Sequence, residues 1–447
     1  MALAVRSAWL LGHIALVSAL TFPIPGKPPS NASSQLPASP IGVSFEFFAY
    51  PAYLEDVDAT ETCLENLEQL TVSNSGDAPT SLTFGPPLLS LAAEYGGSVI
   101  LGLNRRLDNI SNTIAAATLA KSRITNLYSI ELGNEPNFYT SSDPIADDKD
   151  WTAAADYASQ LAWQDAVCGN LSTSDVISAG VYFGTSPMSL VGLTAVESDA
   201  NDYVKDYCSH NYPQSAGTAN LSSLMSHSEI ASQIQPYAAE ISAAANEGKA
   251  HIFGETNSAT GGGGGISPTF GAALWLVDYV MQSLILGTEA LYFHQGTIGN
   301  CQYCFWGKYD MGAPYYGAYF AAMALAGADY IAPLDDQTTA YAAYAIYKSD
   351  APVKVLLYNS DYYSSGARPT QTFTLTGISA STVTTKLLTA PHATSRVDYG
   401  DNPTVAGQTF TNGTCTIQGT LEEQTTTVSG GEVSFTVGAS EALLVYL

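Results

Sequence analysis

The chain has 447 residues, 46% of them hydrophobic, which suits a large buried core divided between two domains. Its 15 Lys and Arg stand against 41 Asp and Glu, and the net charge of −26 argues against nucleic acid and anionic membrane surfaces as partners. Beyond the N-terminus, no stretch of ~20 apolar residues offers a membrane span.

The first residues, "MALAVRSAWLLGHIALVSAL", set Arg6 before an apolar run from Ala8 and small residues at Ser18 and Ala19, the pattern of a secretory signal peptide over 1–19. An N-terminal membrane anchor competes with it, but the apolar segment is short for a span. Six cysteines and five Asn-x-Ser/Thr sequons, at Asn31, Asn109, Asn170, Asn220 and Asn412, agree with a secreted, extracellular protein. Residues 20–40 then read as a Pro/Ser linker.

Over 41–335, short apolar runs alternate with Ala-rich or amphipathic stretches, as in repeated βα units. Strands are expected at 41–47, 98–104, 127–135, 175–181, 204–212, 251–257 and 289–296. Helices are expected at 58–70, 111–122, 156–168 and 269–287, the last opening on Thr269 as N-cap and closing at Gly287. This is the layout of a (β/α)8 TIM barrel with one strand unaccounted for. The second strand should follow Leu70, where "TVSNSGDAPTSL" is polar and turn-rich, so that strand is expected to be missing or distorted. Residues 336–447 change texture to short Thr-, Val-, Tyr- and Leu-rich runs broken by Gly, Ser and Asn, which read as an all-β sandwich.

The chemistry gathers at two strand ends. In "LYSIELGNEPNFY" an apolar strand must stop near Glu135 because Pro136 cannot donate to a sheet ladder, and carboxyl ends of parallel strands are where barrels bind ligands. "AHIFGETNS" repeats the pattern at Glu255. The two glutamates are 120 residues apart (255 − 135), about three βα units of ~40 residues, so they fall on strands four and seven and face one mouth. Paired carboxylates in one cleft are what retaining glycoside hydrolysis needs. Either glutamate alone reads as well as a solvated or arginine-paired residue; the pair favours catalysis. Asn134 stands ready to bond a sugar hydroxyl, and Tyr212 in "CSHNYP" to donate to Glu255.

Other flags are weaker. Cys301 and Cys304 in "NCQYC" lack the second cysteine or histidine pair of a zinc site, so a local disulfide is expected; the pairing of Cys63, Cys168, Cys208 and Cys415 stays open. "GGGGGI" from Gly261 reads as a flexible loop, and Trp306, Tyr309, Tyr315 and Tyr316 as residues that either stack on sugar rings or pack the barrel. Neither a G-x-S-x-G elbow nor an H-E-x-x-H zinc motif is present.

Together, "ELGNEPNFY", "GETNS", "HNYP", "LGLNRRLDN" and "FWGKYDMGAPYYGAYF" resemble glycoside hydrolase family 79, the β-glucuronidase and heparanase family of the Asn-Glu-Pro barrel clan, in its fungal secreted form. The resemblance implies a barrel with a β-sandwich partner and retaining hydrolysis without metal or cofactor. It matches Glu135 to the acid/base and Glu255 to the nucleophile. Glu46, Asn104, Asn134, His210, Tyr212, His294 and Gln295 match substrate-pocket positions. The chain departs from the family after Leu70, where an Arg-Ile-Gly-Gly strand is lacking. The expected activity is that of an exo-β-glucuronidase releasing (4-O-methyl-)glucuronic acid from a glycan or glucuronide substrate. The alternatives are another retaining β-glycosidase, a heparanase-like endo-enzyme, or a carbohydrate-binding protein disabled by the gap.

Overall fold

In the computed structural model, which describes residues 19–65, 69–73 and 82–447, eight parallel strands close into a barrel. In chain order they are Ile41–Glu46, Gln69–Ser73, Ser98–Leu103, Leu127–Leu132, Ile177–Phe183, Val204–Asn211, Ala250–Thr256 and Ala290–Gln295. They are called the first to eighth strands below. The eighth closes the ring by pairing with both the seventh and the first. Helices follow the strands and cover the barrel, as burial on both faces of a parallel sheet requires. Several are set by polar caps: Asn109, Thr152 and Ser189 each accept a bond from the backbone N–H three residues on. Thr269 does not cap in this way. Its hydroxyl donates to the Ile266 carbonyl instead, while Gly287 does end that helix in the left-handed conformation.

The second strand is present. The helix expected over 58–70 spans only Ala59–Glu65, and Gln69–Ser73 pairs with the first strand from Val43↔Leu70 to Glu46↔Ser73 and with the third from Gln69↔Ser98 to Val72↔Leu101. A run of five residues with two apolar ones barely stands out against the polar stretch behind it. Two unpaired strand edges inside a barrel would cost far more than local propensity can return, so tertiary pairing decides. The expected irregularity over 71–82 therefore fails at 71–73, and 74–81 lie outside the described residues. At the opposite end of the barrel a cavity of about 1230 Å³ lies beside this unit, among Leu54, Leu64, Leu91, Tyr95 and Tyr128.

The C-terminal region packs two layers, one paired antiparallel throughout and one with a parallel edge strand. One sheet runs Tyr330–Pro333, Tyr341–Lys348, Ala351–Asn359, Glu441–Tyr446, Thr382–Thr389 and Thr404–Val405, with Gln424–Thr427 also paired to Thr382–Thr389. The other joins Leu20–Pro23, Thr370–Thr376 and Glu432–Gly438. Phe22, Tyr347, Leu357, Phe373 and Phe435 fill the space between them. Thus Leu20–Pro23, where a linker was expected, is a strand, because its alternate side chain Phe22 is buried against Phe373. Tyr330–Pro333 likewise pairs with the sandwich. The expected signal peptide lies outside the described residues except for residue 19.

Two features tie the sandwich to the barrel. Cys63 is bonded to Cys415 across 352 residues. Buried His227 bridges Asp278 on a barrel helix and Asp335, and Tyr344 of the sandwich donates to Asp278. Cys301–Cys304 forms the expected local disulfide, and Cys168 and Cys208 are free and buried.

Candidate active site

Glu135 stands three residues past the end of a buried strand, where Gly133 (φ 93°) and Glu135 itself (φ 44°) turn the chain through left-handed conformations. A side chain at Gly133 would meet the Tyr139 hydroxyl and Arg105, so only glycine fits there. Pro136 then opens a single 3₁₀ turn, Pro136–Phe138. The strand end is held from behind: buried Arg105 donates to the Leu132 carbonyl at 3.0 Å and pairs with Asp156 at 2.5 Å. The Glu135 N–H donates to the Val181 carbonyl of the fifth strand. A non-glycine residue in the left-handed region is strained, and here the strain aims a carboxylate into the mouth.

Glu255 comes from the seventh strand, buried but open to the same cleft. The Tyr212 hydroxyl donates to its Oε1 at 2.7 Å, and His294 Nδ1 lies 3.7 Å from Oε2. One carboxylate oxygen of Glu135, one of Glu255 and a ring nitrogen of His210 lie within 4.8 Å of one another. His210 Nδ1 is 3.0 Å from Glu135 Oε1. Burial alone would lower the His210 pKa, but its bonds to Cys208 and Glu135 and the charge of Glu255 raise it well above the usual value. His294 is lowered by burial and raised more by Glu255 and Glu46. Burial and Glu255 push Tyr212 well above the ordinary phenol, so it stays a donor.

The cleft encloses about 680 Å³. Of the nine expected site residues, Glu135, Glu255, Tyr212 and His294 line it. His210 and Glu46 are buried beside them, Glu46 Oε2 lying 3.8 Å from His294 Nε2, and Asn134 is half-buried next to Glu135. Asn104 and Gln295 are engaged elsewhere. Asn104 Oδ1 accepts from the Leu107 N–H of its own loop, and buried Gln295 Oε1 accepts from the Phe305 N–H. Trp306, Tyr315 and Tyr316 are wholly buried in the core, and exposed Tyr309 does not line the cleft.

Besides Tyr212, the described aromatic residues that line it are Phe138, Phe183 and Tyr303, none of them expected from the sequence. Tyr303 offered a signal: it sits between Cys301 and Cys304, whose disulfide fixes its loop over His294, with ring centroids 5.9 Å apart. Gly261, from the glycine run, also lines the cleft, and Gly265 of that run donates to Gln302 on the disulfide loop. One layer deeper, Glu131, Cys208 and His210 place donor atoms within 4.8 Å of one another. That set has the chemistry of a metal site, but burial pushes the Glu131 carboxyl up to about 8 and the Cys208 thiol up to about 12, so both hold protons at neutral pH.

Residues 343–444 match the model of the glycosyl hydrolase family 79 C-terminal beta domain. Over 322 residues, 64% of this chain, the sequence is 30% identical to a β-glucuronidase of Aspergillus niger, covering 58% of that protein. It is 28% identical over 349 residues to a β-glucuronidase of Neurospora crassa, covering 66% of this chain and 60% of the relative. The matches thus span less than two thirds of these relatives' length. A solved 4-O-α-L-rhamnosyl-β-D-glucuronidase from Fusarium oxysporum 12S, in complex with Rha-GlcA, is 63% identical, superposes with a TM-score of 0.94, and is matched over 96% of this chain and 100% of that one.

Proposed function

The chain belongs to glycoside hydrolase family 79, and from that premise we propose that it is a secreted retaining β-glucuronidase whose substrate is a 4-O-rhamnosylated glucuronide. The observation that carries this reading is the close approach of Glu135 and Glu255, with oxygens no more than 4.8 Å apart. Retaining enzymes hold their carboxyl groups ~5–5.5 Å apart, whereas inverting ones leave ~6.5–9.5 Å for a water.

Glu135 protonates the leaving glycosidic oxygen while Glu255 attacks the anomeric carbon and forms a glycosyl ester. Glu135, now a carboxylate, then draws a proton from water, which attacks the same carbon and frees Glu255. The Tyr212 hydroxyl keeps Glu255 oriented and ionised. His210 holds Glu135 against the fifth and sixth strands and supplies a compensating charge when its proton leaves. Among the described residues no Lys or Arg lines the cleft, so a uronate would be met by neutral donors such as Tyr303 and backbone N–H groups, with the two histidines as the nearby cationic groups.

The 4-O substituent follows from the likeness to the Fusarium enzyme, whose bound ligand is Rha-GlcA. Secretion is supported by two disulfides and by exposed asparagines at all five sequons. Aryl β-glucuronide, its 4-O-rhamnosyl derivative, β-glucoside and β-galactoside are to be assayed side by side, with NMR of the first-formed anomer. Release of β-configured Rha-GlcA ahead of the other products is the expected result. Turnover of glucoside or galactoside but neither glucuronide would overturn the substrate assignment, and a first-formed α-anomer the mechanism.

A further inference from the structure

Beneath the cleft, a buried thiol fills a notch in the strand that carries Glu255. Cys208, on the sixth strand, is free and wholly buried. The sixth and seventh strands pair Ser209 with Phe253 and His210 with Glu255, so Gly254 is the extra residue of a bulge. A Cβ on Gly254 would lie 2.4 Å from the Cys208 sulfur and 3.1 Å from Glu131 Oε1. The bulge thus sets Glu255 opposite His210, and the thiol occupies the room that the absent side chain leaves. Its hydrogen has two acceptors, Glu131 Oε1 at 3.8 Å on the fourth strand and the Ser209 carbonyl of its own strand at 3.9 Å. The thiol is also bonded to the ring of His210. Ring Nδ1 is engaged by Glu135 at 3.0 Å, which leaves the thiol to Nε2, a buried atom with no oxygen or nitrogen partner among the described residues.

We infer that Cys208 is a positioning residue for the acid: its sulfur accepts from His210 Nε2–H, so that both ring nitrogens are donors and Nδ1–H is presented to Glu135. The inference rests on the retaining reading above, in which Glu135 is that acid. A thiol whose hydrogen is taken by Glu131 or Ser209 offers the ring only a lone pair, and an imidazole that donates from both nitrogens is a cation. The groups facing the ring fit that state. Burial opposes the charge, and the bonds to Cys208 and Glu135 together with Glu255 on the seventh strand outweigh it. His294 on the eighth strand acts against it. Burial pushes the Cys208 thiol up to about 12 and the Glu131 carboxyl up to about 8, so neither is an anion at neutral pH; Asp206 and Tyr292 complete the titratable groups of this layer. When Glu135 gives its proton to the leaving oxygen, it becomes an anion facing a cation that Cys208 holds in place.

The test compares the parent with Cys208→Ala and Cys208→Ser on two β-glucuronides of one glycone, whose leaving groups are methanol and 4-nitrophenol. In Cys208→Ala, kcat/KM on the methyl glycoside should fall about tenfold, while the 4-nitrophenyl glycoside, which needs little protonation, should lose less than about threefold. The basic limb of the pH profile on the methyl glycoside should move to higher pH, because a neutral His210 no longer favours the ionised form of Glu135. Cys208→Ser, whose hydroxyl both donates and accepts, should stay within about threefold of the parent on both substrates. Equal losses on the two glycosides with an unmoved basic limb would make the thiol a packing group and overturn the inference. Imidazole 15N NMR reads the ring without turnover. His210 should show two protonated nitrogens at pH 7 in the parent and one in Cys208→Ala. If the parent cleaves no glucuronide, the functional reading fails, whereas a His210 signal that is the same in both proteins defeats the positioning role alone.

Discussion

Glu131 and Glu135 share one strand and its exit, yet their surroundings could hardly differ more. Glu131 points into the barrel, wholly buried against Cys208, and burial, with help from Asp206 and Glu255, raises its carboxyl to about 8 despite the opposing His210. Even Gly254 on the seventh strand has no room for a side chain beside it, because a Cβ there would run into Cys208. Glu135 has passed the strand end, bends into a left-handed turn and opens to a cleft where substrate can reach it. The same residue type is a buried carboxyl of raised pKa in one layer and the proposed acid in the next. What separates them is the height of the residue relative to the strand's carboxyl end, which sets its access to solvent and ligand.

The largest expected effects lie at the mouth. Glu255→Ala should lower kcat by about 10⁴-fold or more on every substrate, because no ester can form. Glu135→Ala should be milder on aryl glycosides with good leaving groups, and azide should restore turnover as a glycosyl azide. Equal losses without rescue would undo the difference in roles. Tyr212→Phe comes next: a bond to a charged partner is worth ~1.5–3 kcal/mol, so kcat should fall roughly 10- to 100-fold with the fold intact. A variant with unchanged kcat would show that Glu255 does not depend on that hydroxyl.

The deeper layer should respond in stability. An acid whose folded pKa lies above its unfolded one keeps a proton that the unfolded chain has released. Its stabilising share is full below the unfolded pKa and is lost as pH rises from the ordinary 4.5 to about 8. Glu131→Gln should therefore melt like the parent near pH 4.5 and higher than the parent near pH 8, by an amount on the order of a few kcal/mol at most. Parallel melting curves across that range would mean that Glu131 is already ionised in the fold. Smallest is Asn104→Ala. With its oxygen spent on the Leu107 N–H, it should cost ~1 kcal/mol of stability and leave kcat/KM within about threefold. A tenfold rise in KM would return Asn104 to the substrate site.

Much of this site was legible beforehand because it obeys a local rule. An apolar run cut off by glutamate and then by turn residues marks a strand end, and two such ends three units apart must share a barrel mouth. Tyr212 was legible for the same reason. The second strand was not, because Gln69–Ser73 has too little apolar signal of its own and is held by partners on both sides. The aromatic residues failed differently. Trp306, Tyr315 and Phe138 look alike as ring-bearing residues, but the first two are buried in the core and the third is left in solvent.

The alternation of strands and helices in the barrel apart from its second strand, the all-β texture of the C-terminal region and the two strand-end glutamates follow from the sequence by itself, since periodicity and chain-breaking residues act over a few neighbours. That burial raises the Glu131 carboxyl, which rings wall the cleft, that Asn104 and Gln295 serve their own loops, and that Leu20–Pro23 completes a sheet some 350 residues away were decided by the tertiary structure. Burial, loop direction and strand partnership are properties of distant segments brought together, and no local window of residues contains them.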